Sequence, residues 1–134
     1  MAVIRHESHP VHSPEDVVMV RQKVRDWAIQ TGFSLVDQTK IVTAASELAR
    51  NVLQHGKGGA MRLESLNDDQ RRGLRLTFED EGPGISDIDQ ALRDGFSTGG
   101  GLGLGLGGAK RLANEFLIDS EPGRGTKVVI TRWK

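Results

Sequence analysis

The chain predicts an α+β fold, a two-layer sandwich whose mixed, mostly antiparallel sheet is covered on one face by helices. Two amphipathic helical patterns fill the first half, alternating strand-like segments fill much of the second, and a tract dense in glycine precedes a third, short helix. Helices that come before most of the sheet suit a segregated α+β domain better than repeating βαβ units.

Val3 to Glu7 read as a short extended segment. Ser13-Pro14-Glu15-Asp16 then supplies an N-cap, a first-turn proline and early acidic residues, so a helix starts here. Val17, Val20, Val24, Trp27 and Ala28 follow at helical spacing, and Gly32 ends the element. A second helix begins after Ser34 and runs to about His55, with Ile41, Ala45, Leu48 and Val52 as its apolar stripe. Glu47, Asn51 and His55 form a separate row offset from that stripe. Ala60–Leu66 and Leu74–Glu79 read as an antiparallel hairpin with a long polar turn from Asn67 to Gly73, and the second strand delivers Asp80 at its end. Ala109–Phe116 is predicted as a helix, followed by strands Leu117–Ser120 and Lys127–Trp133 around the turn Glu121-Pro122-Gly123-Arg124-Gly125.

A length of 134 residues suits one domain, 1–134. Lys+Arg and Asp+Glu both total 18 with no long block of either sign, so no electrostatic footprint for nucleic acid is present. There is no cysteine, which excludes disulfides, thiolate metal sites and cysteine nucleophiles. Arg5, His6, Glu7 and His9 stand where a secretory leader needs an apolar run, and no stretch approaches a membrane span, so a cytoplasmic protein is expected.

Taken alone, Glu47 and Asn51 read either as polar residues on a solvated helix face or as the row of a site. Glu79-Asp80-Glu81-Gly82-Pro83-Gly84-Ile85 reads as a tight turn, or as a fixed carboxylate beside backbone that a flat ligand can approach. Eight of the 17 glycines fall between Gly95 and Gly108, and the tract ends directly in a helix. Backbone N–H groups feeding a helix N-terminus form a phosphate cradle. Gly103, Gly105 and Gly108 satisfy G-x-G-x-x-G, but no strand precedes them as a dinucleotide-binding turn requires. The Gly-Lys-Ser/Thr of a Walker A loop is also missing.

The order of four boxes decides between these readings: Glu47-Leu48-Ala49-Arg50-Asn51, Asp80-Glu81-Gly82-Pro83-Gly84, Gly101-Leu102-Gly103-Leu104-Gly105 and Gly123-Arg124-Gly125-Thr126. Together they resemble the nucleotide-binding boxes of the GHKL superfamily (the Bergerat fold), which includes histidine-kinase catalytic domains, Hsp90, gyrase B and MutL. Within it, Ser46–Asn51, Asp80–Ile85, Asp94-Gly95-Phe96-Ser97-Thr98 and the short lid segment look most like the RsbT-type serine/threonine switch kinases that regulate sigma factors.

The resemblance implies ATP and Mg²⁺ as cofactors and a role for each matched residue. Asp80 would accept from the adenine amine, Asn51 would ligate Mg²⁺, and Glu47 would be the general base of phosphotransfer. Gly82, Gly84 and Ile85 would border the purine, with Thr126 supporting the pocket from the sheet. Gly99, Gly100, Gly101, Leu102, Gly103, Leu104 and Gly105 would face the phosphates. Ser97 and Thr98 would either touch the terminal phosphate or cap the loop. The implied partners are a STAS-domain scaffold or antagonist, a PP2C-type phosphatase activated by binding, and a sigma factor. An anti-sigma factor or ATP-gated adaptor without kinase turnover is the alternative, and the presence of Glu47 favours the enzyme.

Overall fold

In the computed structural model, residues 2–55, 57–85, 88, 92 and 105–134 are described. Among the described residues, five strands and three helices follow one another as β1 (Ala2–Val11), α1 (Pro14–Thr31), α2 (Leu35–Gln54), β2 (Gly59–Asp68), β3 (Arg71–Asp80), α3 (Gly105–Leu112), β4 (Glu115–Glu121) and β5 (Gly125–Trp133). The sheet order is β1-β2-β3-β5-β4. All four pairings are antiparallel, so the expected mixed sheet has no parallel pair among the described residues.

Both long helices start and stop where the local chemistry dictates. Ser13 Oγ accepts from the Asp16 N–H at 3.3 Å and Ser34 Oγ from the Asp37 N–H at 3.1 Å, satisfying donors that a helix N-terminus leaves open. Gly32 closes α1 in the left-handed region at φ 93°, which an L side chain rarely adopts. Val20, Val24 and Ala28 of α1 and Ile41, Ala45 and Leu48 of α2 are buried with Met61, Leu63, Leu74, Leu76, Phe78 and Ile130 of the sheet. The core therefore lies between the helical layer and one sheet face, and the alternation of β3 puts Asp80 on that inner face, two residues beyond Phe78.

Three boundaries differ from the sequence reading. β1 reaches Val11 rather than stopping at Glu7, because its backbone pairs along β2 whatever its polar side chains are. Pro10 is tolerated in β1 because this is an edge strand. The hairpin turn is Asp69-Gln70 alone, since Asn67 pairs with Arg72 and Asp68 with Arg71. Polar residues suit that exposed tip without leaving the ladder, and Trp133 packs its ring against Gly73, where a Cβ would meet ring carbon Cε3 at 2.7 Å. Finally, α3 begins at Gly105, inside the glycine tract, and Glu115 and Phe116 already belong to β4. Packing of α3 on α2 overrides the poor helix propensity of Gly107 and Gly108, both buried.

Candidate nucleotide-binding site

α2 carries the first pair of predicted residues, and it buries more than a single stripe. Its buried set includes Ser46 and Glu47 beside Leu48 and Ala49, so Glu47 is only 5% exposed rather than on a solvated face. Asn51, one turn on, is half-buried, and His55 is exposed at the helix end. Glu47 Oε1 accepts from Arg50 Nη1 at 3.1 Å, across an i, i+3 spacing. The Asn51 Nδ2 atom is buried with no hydrogen-bond partner. A buried N–H donor left unpaired is costly, so Nδ2 has hydrogen-bonding capacity to spare.

The second group lies at one end of the sheet. Asp80 closes β3 and pairs in register with Gly59 on one side and Thr126 on the other. Its Oδ1 accepts from the Gly82 N–H at 2.9 Å, and that is its one hydrogen bond among the described residues. The turn that follows is sewn to the β4–β5 turn: Ile85 N–H donates to Ser120 Oγ at 2.8 Å and Gly123 N–H to Pro83 O at 2.6 Å. Ser120 Oγ donates to Gly125 O at 3.0 Å and lies 2.8 Å from Thr126 Oγ1. Gly84, at φ 78°, has no room for a Cβ beside Glu121 O, and Gly125, at φ 86°, none beside Asp80 O. Two of the motif glycines are thus required by close backbone approach within the protein itself.

Asp80, Gly82, Gly84, Ile85 and Thr126 are therefore brought together at this end of the sheet. A cleft of about 170 Å³ beside them is bordered by Asp80, Ser120 and Thr126 but also by Glu79, Asp119 and Lys127, and by none of Gly82, Gly84, Ile85, Glu47 or Asn51. α2 lies across β3, though no hydrogen bond among the described residues joins Glu47 or Asn51 to Asp80. Ser97, Thr98, Gly99, Gly100, Gly101, Leu102, Gly103 and Leu104 lie outside the described residues. Gly105 is the first residue of α3 and is buried. The far end of α3 is held by Arg132, whose Nη1 donates to Leu112 O at 2.8 Å while Nη2 donates to Asp37 at 2.7 Å. That hydrogen bond holds the Asp37 carboxyl below the usual carboxylate range.

Among the described residues no cluster of three or more His, Asp or Glu side chains could hold a metal by itself. The donor set fits Mg²⁺ all the same, because this ion commonly takes few protein ligands and fills its shell with phosphate oxygens and water. The protein ligand would be the amide oxygen of Asn51, a half-buried residue on α2; its unpaired Nδ2 is a hydrogen-bond donor and not a metal ligand.

The sequence reading missed two polar residues here. Ser120 shares the inner face of β4 with Phe116 and Ile118, so a lone hydroxyl at the end of an apolar alternation was its available signal. Arg50 stands inside the first box with no role assigned to it, and its i, i+3 spacing from Glu47 is the signal of the ion pair.

A capped carboxylate closes β3 and a covering helix carries Glu47 and Asn51, and similarity to known proteins gives the class: residues 36–134 match the histidine kinase-, DNA gyrase B- and HSP90-like ATPases, the family to which this chain belongs. Within that family the chain is 47% identical over 118 residues to the serine/threonine-protein kinase RsbT of Bacillus subtilis, covering 88% of this chain and 89% of that protein. It is 29% identical over 130 residues to an anti-sigma F factor of Clostridium beijerinckii, covering 91% and 89%. Among solved structures, the RsbU and RsbW domains of a Mycobacterium tuberculosis protein share the fold at a TM-score of 0.65 and 23% identity, over 97% of this chain and 32% of that one. No helix among the described residues is long and apolar enough to cross a membrane.

Proposed function

We propose that this domain is a Mg·ATP-dependent protein serine/threonine kinase that phosphorylates a STAS-domain partner and then exchanges that partner for another. The observation that carries this reading is Glu47, a carboxylate buried one helical turn before Asn51, in a chain 47% identical to a serine/threonine kinase. Adenine and metal recognition need no acid at that point, whereas phosphotransfer to a hydroxyl uses a base.

Each residue then has one task. Asp80 accepts from the exocyclic amine of adenine and so selects against guanine, which presents a carbonyl there. Gly82 and Gly84 leave the purine room, with Ile85 beside it and Thr126 behind. Asn51 offers its amide oxygen to Mg²⁺, which when bound neutralises charge on the phosphates. Glu47 takes the proton of the attacking serine or threonine hydroxyl. Residues 97–104, glycine-rich and leading into α3, line the phosphates.

The product phosphate adds about −1.5 to −2 charge at the contact, enough to repel acidic groups of the kinase and release it. The freed domain then binds a PP2C-type phosphatase. An anti-sigma reading is favoured by the 29% identity to anti-sigma F factors, with a sigma factor as the partner held. Both readings are tested by mixing the domain with a STAS-domain protein of the same organism, adding labelled ATP and Mg²⁺, and following label and complex size. Label on a serine or threonine of the STAS protein with loss of the complex is expected. Stable sigma-factor binding with no label on any STAS protein would replace the switch kinase by a holding factor.

A further inference from the structure

Glu47 faces a problem that its neighbours do not solve. A carboxylate that is 5% exposed, between the buried Ser46 and Leu48, needs a partner for its charge. It also needs a fixed direction, because the last torsion of a glutamate is broad and roughly two-fold and does not by itself aim either oxygen. One side chain answers both needs: Arg50 Nη1 donates to Oε1 at 3.1 Å. The pair is unlike an ordinary i, i+3 surface pair, since the Arg50 side chain keeps 34% of its exposure while that of Glu47 keeps 7%. The cation sits at the rim and the anion inside. Oε1 is engaged by Arg50, and no hydrogen bond to Oε2 is found among the described residues.

We infer that Arg50 is the positioning residue of this site: it pins Oε1 of Glu47 so that Oε2 is the oxygen presented to the incoming hydroxyl. This rests on the reading of Glu47 as the general base. Arg50 itself touches no reacting atom in this arrangement; it acts through Glu47. Lysine at this position keeps the charge but not the planar fork that fixes direction, so it restores only part of the effect.

Four variants test this: Glu47→Gln, Arg50→Met, Arg50→Lys and the double variant Glu47→Gln/Arg50→Met. For each, thermal melting reports folding, calorimetry with Mg²⁺ and a non-hydrolysable ATP analogue reports nucleotide affinity, and single-turnover transfer to the STAS protein reports chemistry. Arg50→Met is expected to bind the analogue within about 3-fold of wild type and to transfer phosphate roughly 10–100-fold more slowly, the scale of a misplaced catalytic group. Arg50→Lys should fall between. The double variant should be no slower than Glu47→Gln alone, because a group acting through Glu47 has nothing left to position.

If the two losses multiply in the double variant, or Arg50→Met transfers at the wild-type rate, the inference is overturned while Glu47 keeps its role. If Glu47→Gln itself transfers at the wild-type rate, the base reading fails, and the inference with it. Should Arg50→Met not fold, the lysine variant carries the same comparison alone and with Glu47→Gln.

Discussion

At Asp80, one carboxylate oxygen accepts from the Gly82 N–H at 2.9 Å, and the other has no hydrogen bond among the described residues; on the proposed function it is the acceptor for the adenine amine. Asparagine keeps an oxygen for Gly82 and turns the second acceptor into a donor, so the turn survives while an incoming amine meets another N–H. Asp80→Asn should therefore melt near the wild-type temperature and bind Mg·ATP about 10–100-fold more weakly, the equivalent of a lost charged hydrogen bond. Calorimetry on the folded variant checks this, and unchanged affinity would remove Asp80 from adenine recognition. For Glu47→Gln the order reverses: nucleotide affinity should stay near wild type while transfer slows by about 10²–10⁴-fold.

At the scale of elements, the β3 end and the β4–β5 turn behave as one unit. Gly125 lies at φ 86° with no space for a Cβ beside the Asp80 backbone carbonyl, so a change there displaces the β3 end that carries the Asp80 carboxylate. Gly125→Ala should lower stability by about 1 kcal/mol or more through the left-handed backbone alone and weaken ATP binding together with it, read by melts and calorimetry side by side.

The open face of the sheet is held by a different device. Arg75 in β3 donates to both oxygens of Glu64 in β2, at 2.8 and 3.1 Å, and these hydrogen bonds hold the Glu64 carboxyl below the usual range. A depressed folded-state value means that the stabilisation is complete above the unfolded glutamate range, about 4.3, and disappears as pH falls through the lower, folded value. The stability gap between wild type and Glu64→Gln, about 1–3 kcal/mol at pH 7, should accordingly close in strong acid. Denaturant melts at several pH values measure that gap, and a gap that does not change with pH would detach it from this ion pair.

For the whole molecule, ligand and fold are linked by mass action. A nucleotide that binds the folded chain alone stabilises it by about 2.7 kcal/mol at a hundred times its dissociation constant. Mg·ATP should thus raise the melting temperature by several degrees, with Mg·GTP giving a much smaller rise because Asp80 finds no amine at that position. Equal shifts from both nucleotides would separate base selection from this carboxylate.

The sequence alone determined the helix starts at Ser13 and Ser34, the left-handed stop at Gly32 and the delivery of Asp80 by a strand, because each depends on chemistry within a few residues. The order of the four boxes likewise pointed to the ATPase family that residues 36–134 match. Tertiary structure decided what depends on distant partners. Periodicity put Glu47 on a row beside the core, but only the packing of α2 buried it and left Arg50 at its rim. Local propensity opposed a helix through Gly107 and Gly108, and contact with α2 imposed one. Asn67, Asp68, Arg71 and Arg72 looked like a loop because side chains were the available signal, whereas the backbone ladder of a hairpin is indifferent to them. Gly84, read as room for the purine, and Gly125, read as part of the fourth box, are needed first because strand ends 37 or more residues apart in sequence press their carbonyls against them, as Glu121 O does on Gly84.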